Sequence, residues 1–182
     1  MNQATAYQYD AYGNRTRETH PNGLAHSYAY DKLDRPTSKS AVEGGTTTLL
    51  EEYGYPMQAN GTVKETKRAY FASNAYADTA STYDFAGRLL RTDFPDGGAV
   101  VSTYLANGLL DSATDAMGNK AHYEYDPLNR RIRQWAPHSG SLYSLTAWSY
   151  DSAGRVTLES AYATPLAKGA APSGPASTRA YA

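Results

Sequence analysis

The sequence predicts an all-β fold of tandem antiparallel β-hairpins, and three observations carry that reading. The dipeptide Tyr-Asp occurs five times in 182 residues, where random order with 17 tyrosines gives about one. It recurs at nearly regular spacing: Tyr9 to Tyr30 is 21 residues, and Tyr83 to Tyr125 is 42. Turn-forming residues punctuate the chain between the dipeptides, and no stretch keeps a helical period over ten residues or so.

The first element of each repeat is a strand that ends on the tyrosine. Four of the five tyrosines have another aromatic two residues earlier, at Tyr7, Tyr28, Tyr123 and Trp148. Residues two apart share a face of a strand. The second element is a turn that begins on the aspartate: Asp10, Asp31, Asp84, Asp126 or Asp151. An aspartate at the first turn position accepts a hydrogen bond from the N–H two residues on. Gly13, Asp34, Gly87, Asn129 or Gly154 follows three residues later, where a type I turn or its left-handed bulge needs a permissive residue. An arginine stands four or five positions after each aspartate, at Arg15, Arg35, Arg88, Arg130 and Arg155. It is placed to pair with the aspartate or to lie over a neighbouring ring.

The third and fourth elements are a returning strand and a second turn. Glu18–Gly23, Thr92–Gly98, Thr114–Asn119 and Gln134–Gly140 have turn composition. Asn-Gly and Asp-Gly in such places suggest type I′ hairpins, whose two central residues both take positive φ. Two turns and two short segments per 21 residues make one hairpin per repeat. A degenerate copy sits at Tyr104, where Leu105 replaces the aspartate but Asn107-Gly108 keeps the turn, and another at Tyr55. About seven hairpins thus fill residues 1–163, with 41–80 the least regular part. Glu43–Thr48 reads as a polar Gly/Thr loop, and Ala69–Ala80 as a loop or one helical turn. The Ala/Pro/Gly/Ser-rich end, residues 164–182, reads as a linker or disordered tail.

Composition limits what such a sheet can do. Leu, Ile, Val and Phe total only 23 of 182 residues, so the core is expected to be built from tyrosine rings. Tyr9, Tyr30, Tyr83, Tyr104, Tyr125 and Tyr150 are expected on one face as a ladder. Lys plus Arg is 17 and Asp plus Glu is 18, for a net charge of −1, which argues against a nucleic-acid partner. There is no cysteine, and so no disulfide or thiolate chemistry. No apolar run approaches the roughly 20 residues of a membrane span. The first 25 residues are polar and hold no signal-peptide core.

The segments YQYDAYGNR, YAYDKLDRP, STYDFAGRLLRTDFPDGG, YEYDPLNRR and WSYDSAGRV resemble the YD-repeat family, also called Rhs repeats. That family includes bacterial Rhs polymorphic toxins, the shell components of insecticidal toxin complexes, wall-associated proteins and teneurins. The resemblance covers roughly Thr5 to Leu158. It implies hairpins joined edge to edge in a long sheet that spirals into a shell around a toxin or other cargo. Seven hairpins at about 4.8 Å per strand give a strip of roughly 67 Å. That is too little sheet to enclose a folded toxin, so the chain is expected to be a structural, non-enzymatic segment of a larger shell. Its expected partners are further repeats, a second copy of itself, and an encapsulated toxin. Its expected location is secreted or at the bacterial cell surface.

A carbohydrate- or cell-wall-binding repeat protein is the alternative, since such repeats also pair aromatic hairpins with glycine turns. An enzyme is the third reading, kept for the poorly patterned residues 48–80. No cofactor or metal is expected. His20, His26, His122 and His138 lack metal-ligand spacing, and there is no Gly-x-Ser-x-Gly elbow or phosphate loop. Asn14-Arg15-Thr16 and Asn60-Gly61-Thr62 match a glycosylation sequon but also suit turns.

Overall fold

The computed structural model describes residues 4–72, 75–175 and 177–181. They form fifteen β-strands and no helix, so the all-β hairpin-repeat reading holds. The chain divides into two compact units, Met1–Gly97 and Gly98–Ala182. The first contains β1 (Ala6–Tyr9), β2 (Arg15–Thr19), β3 (Ala25–Tyr30), β4 (Pro36–Glu43), β5 (Thr46–Gly54), β6 (Val63–Ala72), β7 (Ala75–Tyr83) and β8 (Leu89–Asp93). The second contains β9 (Ala99–Tyr104), β10 (Leu110–Thr114), β11 (Lys120–Tyr125), β12 (Arg131–Ser139), β13 (Leu142–Tyr150), β14 (Val156–Ala167) and β15 (Ser177–Ala180). Within each unit every strand pairs antiparallel with the next in sequence. No helix among the described residues is long and apolar enough to cross a membrane.

Each motif tyrosine is the last residue of its strand: Tyr9, Tyr30, Tyr83, Tyr104, Tyr125 and Tyr150 end β1, β3, β7, β9, β11 and β13. Each pairs with the residue six positions later, Tyr9 with Arg15, Tyr30 with Pro36, Tyr125 with Arg131. The ladder shifts register at that pair because one extra residue sits in the returning strand. The extra residue is Thr16 in the first hairpin and Thr37 in the second, and the turn carries a bulge of its own. Gly13 (φ 91°), Gly87 (φ 74°) and Gly154 (φ 83°) hold the left-handed position, which Asp34 (φ 59°) and Asn129 (φ 63°) fill in the other two repeats. A type I turn followed by a left-handed residue is a three-residue hairpin loop with a built-in bulge.

The same loop replaces the type I′ turns expected at Asn22-Gly23, Asp96-Gly97 and Asn107-Gly108. Only the glycine of each pair has positive φ. Gly44-Gly45 is the one place among the described residues where both central positions are left-handed, at 56° and 83°. The polar stretch Glu43–Thr48 is therefore no loop: its two glycines form a tight turn between β4 and β5. Gln134–Gly140 is likewise mostly strand β12, with the turn confined to Gly140-Ser141.

Two further expectations are corrected. Ala69–Ala80 belongs to the hairpin β6–β7, with Tyr70 opposite Tyr76; Ser73 and Asn74 lie outside the described residues. Its alanines follow no helical period because they lie in strands, where half-buried Ala75, Ala77 and Thr79 alternate with exposed Tyr76 and Asp78. The C-terminal segment also departs from a bare linker. β14 runs on to Ala167, and Ser177–Ala180 forms β15 against Leu158–Ala161.

The core differs from the tyrosine core expected. The buried apolar residues among those described are Ala25, Trp135 and Leu145; most of the tyrosines are only half-buried. A ring lying along a single sheet is covered on one side by its neighbours and wet on the other. Trp135 and Leu145 belong to a cross-strand row of the second unit, in which His122, Trp135, Leu145 and Tyr162 face one another on β11 to β14. The indole Nε1–H donates to Glu124 Oε1 at 2.7 Å, so the buried polar tip is satisfied.

Candidate functional site

The repeated motif is the feature that could carry function, and its geometry is nearly identical from copy to copy. The turn closes through two backbone bonds. The Asp126 N–H donates to Arg130 O at 2.9 Å, and the Asn129 N–H donates to Asp126 O at 2.9 Å. The carboxylate then pins the turn from the side. Asp126 Oδ1 accepts from the N–H groups of Leu128 and Arg130, both at 2.9 Å, and Oδ2 accepts from Arg130 Nε at 2.6 Å. Asp31 with Arg35 and Asp84 with Arg88 repeat this pattern in full, while Asp151 binds the N–H and Nε of Arg155. These carboxylates lie below their ordinary range. For Asp31 the main cause is the Arg35 guanidinium; for Asp84 and Asp151 it is the N–H of Arg88 and Arg155. For Asp126, partial desolvation pulls the other way, and the Arg130 N–H and guanidinium outweigh it.

The first repeat is built differently from the other copies. Asn14, not Arg15, takes the fourth position and donates to Asp10 through its N–H and its Nδ2. Arg15 turns away to Glu18 at 3.1 Å and lies between the rings of Tyr7 and Tyr28, 5.7 and 4.8 Å from their centroids. Arg131, at the same place one residue later in its own repeat, lies between Tyr123 and Trp148 at 5.8 and 4.7 Å. Guanidinium and aromatic groups thus interleave along the sheet. The aromatics two residues before four of the motif tyrosines are the sequence signal for this row, while the place of Arg131 in it is not marked by the motif. The turn expected at Thr114–Asn119 forms on Asp115, whose bonds with Met117 and Asn119 copy those of Asp10. The matching strings DAYGN and DAMGN carry that likeness, but no tyrosine precedes Asp115.

Neighbouring repeats are joined through the tyrosines. Each hydroxyl donates to the carbonyl that opens the returning strand of the hairpin before it. The bonds are Tyr30 to Arg15 O (3.0 Å), Tyr55 to Pro36 O (2.9 Å), Tyr125 to Leu110 O (3.0 Å) and Tyr150 to Arg131 O (2.7 Å). In every case the acceptor lies six residues after the preceding repeat's tyrosine. The arginine adds a second link. Arg35 lies over the Tyr55 ring at 4.1 Å, and Arg130 over Tyr150 at 4.7 Å, with Arg130 also donating to Asp151 O at 3.0 Å. One arginine therefore grips its own aspartate and the next repeat together. Tyr83 ends its strand beside Met57, Gly61 and Phe85. Tyr9, in the first hairpin, is 60% exposed. At Tyr104 the turn closes through Leu105 and Leu109 without a carboxylate.

Removing one hydroxyl tests the link. Tyr125→Phe keeps the ring but strands Leu110 O, and should lower stability by about 1 kcal/mol in a urea titration. No change would mean that the hydroxyl is replaced by water at no cost.

Acid should loosen the protein in two stages. His26 lies below its ordinary range through burial first, then the positive charges of Lys39, His20 and Arg15, with Glu18 opposing. His122 does so through burial, Lys168 and Lys120, with Asp111 opposing, and its Nδ1 is buried without a partner. A depressed histidine favours the neutral folded state, so stability is complete above about 6.5 and declines below it. The depressed aspartates add a second loss as pH falls through and below their ordinary value of 3.8. Urea midpoints should therefore fall from pH 8 to pH 5, and again to pH 3. A His26→Gln, His122→Gln double variant should lose only the first step.

Among the described residues, no group of three or more His, Asp or Glu is placed to hold a metal ion. What the fold and the motif define is a tandem β-hairpin repeat protein with linked neighbouring hairpins. No family model matches the chain, and no curated protein does. Solved structures do show a likeness. One is a crystal structure of TcdB2-TccC3-Cdc42, with 16% identity over 88% of this chain and a TM-score of 0.36. Another is the Photorhabdus luminescens Tc holotoxin pore, with 15% identity over 88% and a TM-score of 0.36. This chain spans 12% and 11% of the length of those chains.

Proposed function

We propose that this chain is a non-enzymatic structural segment of a YD/Rhs-type shell, which encapsulates or presents a toxin or other cargo outside the cell. The observation that carries this reading is the tyrosine link between repeats. A hydroxyl that reaches one hairpin back is an instruction for adding the next hairpin, not for holding a ligand. The carboxylates and guanidiniums of the motif are spent on one another and on backbone groups, which leaves few of them for chemistry on a substrate. Further repeats, or a second copy, are the natural partners. β1 and β15 are exposed at all four residues, and among the described residues each pairs with one strand, β2 and β14. β1 carries no charge and β15 a single arginine, so little guards those edges against pairing.

Sedimentation equilibrium at micromolar concentration tests the reading. The chain should show a mass above 19.7 kDa that rises with concentration. A clean monomer, with the amides of the first and last hairpins protected from exchange, overturns the segment reading in favour of a self-sufficient binding domain.

A further inference from the structure

Asn-x-Thr occurs at Asn14-Arg15-Thr16 and at Asn60-Gly61-Thr62, and the structure separates the two. Asn14 is half-buried, and its Nδ2 donates to Asp10 Oδ2 at 3.0 Å and to Asp34 Oδ1 at 2.7 Å. Both amide protons are held by carboxylates, one of them from the next repeat. Asn60 is exposed, between the exposed Ala59 and the turn glycine Gly61 (φ 79°). Its turn is closed by Gly61 N–H to Gln58 O at 2.9 Å and Gln58 N–H to Thr62 O at 3.1 Å. Asn60 Oδ1 accepts from the Thr62 N–H at 3.1 Å and from the Thr62 hydroxyl at 2.8 Å. Its Nδ2 donates to nothing among the described residues.

We propose that Asn60 Nδ2 is a glycosylation site, which accepts a sugar from a glycosyl diphosphate through an asparagine glycosyltransferase acting on the folded chain. In the transfer, Nδ2 forms a bond to the anomeric carbon. The bond from that carbon to the diphosphate oxygen breaks, and its electron pair leaves with the diphosphate. One Nδ2 proton passes to a base of the transferase. As that proton departs, negative charge builds on Oδ1, where the two Thr62 donors already point and where charge strengthens such bonds. Asn22 and Asn107 supply an internal comparison. They occupy the same turn position, with Oδ1 accepting from the N–H of Leu24 and Leu109 at 3.1 and 3.3 Å. Leucine adds no hydroxyl, so they have half of the arrangement.

The folded 182-residue chain is the substrate for the test, in two arms. One uses nucleotide-linked glucose with a soluble asparagine glucosyltransferase. The other uses lipid-linked oligosaccharide with a membrane oligosaccharyltransferase. Peptide mapping by mass spectrometry reads each site, and the productive arm identifies the donor. Asn60 should be modified in at least one arm, with Asn14 lower by about tenfold or more, because two bonds to carboxylates must first break. Unfolding the chain in urea, diluting, and pulsing before refolding should raise Asn14 towards Asn60. Thr62→Ser should retain modification and Thr62→Ala should abolish it. Absence of modification at Asn60 in both arms, or equal modification of Asn14 in the folded chain, overturns the proposal.

Discussion

Trp135→Ala should lower the stability of the second unit by about 3–5 kcal/mol, the largest effect expected of any single substitution here. The indole is 1% exposed and stands on β12 between His122 and Leu145. A chain with few buried apolar side chains has little else to close over the gap. The change also removes the donor to Glu124 Oε1, which leaves that carboxylate to Arg133 at 3.1 Å and to water. Trp135→Phe keeps most of the packing and should fall between wild type and alanine. A urea titration followed by circular dichroism measures both. A loss below about 1 kcal/mol for alanine would show that the row on β11 to β14 is not the core of this unit.

Arg130→Lys should cost about 2 kcal/mol although the charge is kept. The guanidinium reaches Asp126, the Tyr150 ring and Asp151 O at once, and an ammonium on a flexible stem cannot match that fork. The link to the next repeat can be isolated by a double-mutant cycle with Tyr150→Leu. A coupling of about 0.5–1 kcal/mol is expected, since the ring interaction disappears in both single variants. Coupling indistinguishable from zero would reduce the arginine to a local brace for its own turn. The corresponding loss at Arg155 should be smaller, because that side chain is 78% exposed and among the described residues it binds only its own aspartate.

The parts of this fold that were legible in the sequence are those closed within a few residues. An aspartate, a permissive residue three later and an arginine four later form a complete hydrogen-bonded turn. Tyr30-Asp31 and Tyr125-Asp126 therefore announce their strand ends without help from the rest of the chain. The less legible parts depend on partners far along the chain. Nothing local to Trp135 marks it as more buried than Trp148; its burial comes from Leu145 and the strands beyond. For Arg15 the sequence leaves open an aspartate or a ring as partner, because counting four or five positions cannot tell which way a side chain turns once Asn14 has satisfied Asp10. Ala69–Ala80 was hard to read because its alternation sets small Ala75 and Ala77 on the half-buried face and Tyr76 on the exposed one, the reverse of the usual apolar pattern. The degenerate copy at Tyr55 was legible from Asn60-Gly61 but its register was not, because glutamine replaces the aspartate and the turn begins three residues after Tyr55, yet the Tyr55 hydroxyl still finds Pro36 O.

All of the tyrosine links act at one end of each hairpin, within six residues of the motif turn. The opposite ends are free of them. That asymmetry explains why β1 to β3 have four to six residues while β6, β7, β13 and β14 have nine to twelve. An insertion at Gly44-Gly45 or Gly140-Ser141 lengthens two strands together and leaves every link in place. One added residue at Asp31–Arg35 would unhitch a repeat from its neighbour. This makes the motif end of each hairpin the end that fixes its length, and the opposite end a margin on which length can change. For protein engineering, the same margin is where a foreign epitope or a fluorescent tag can be carried without disturbing assembly.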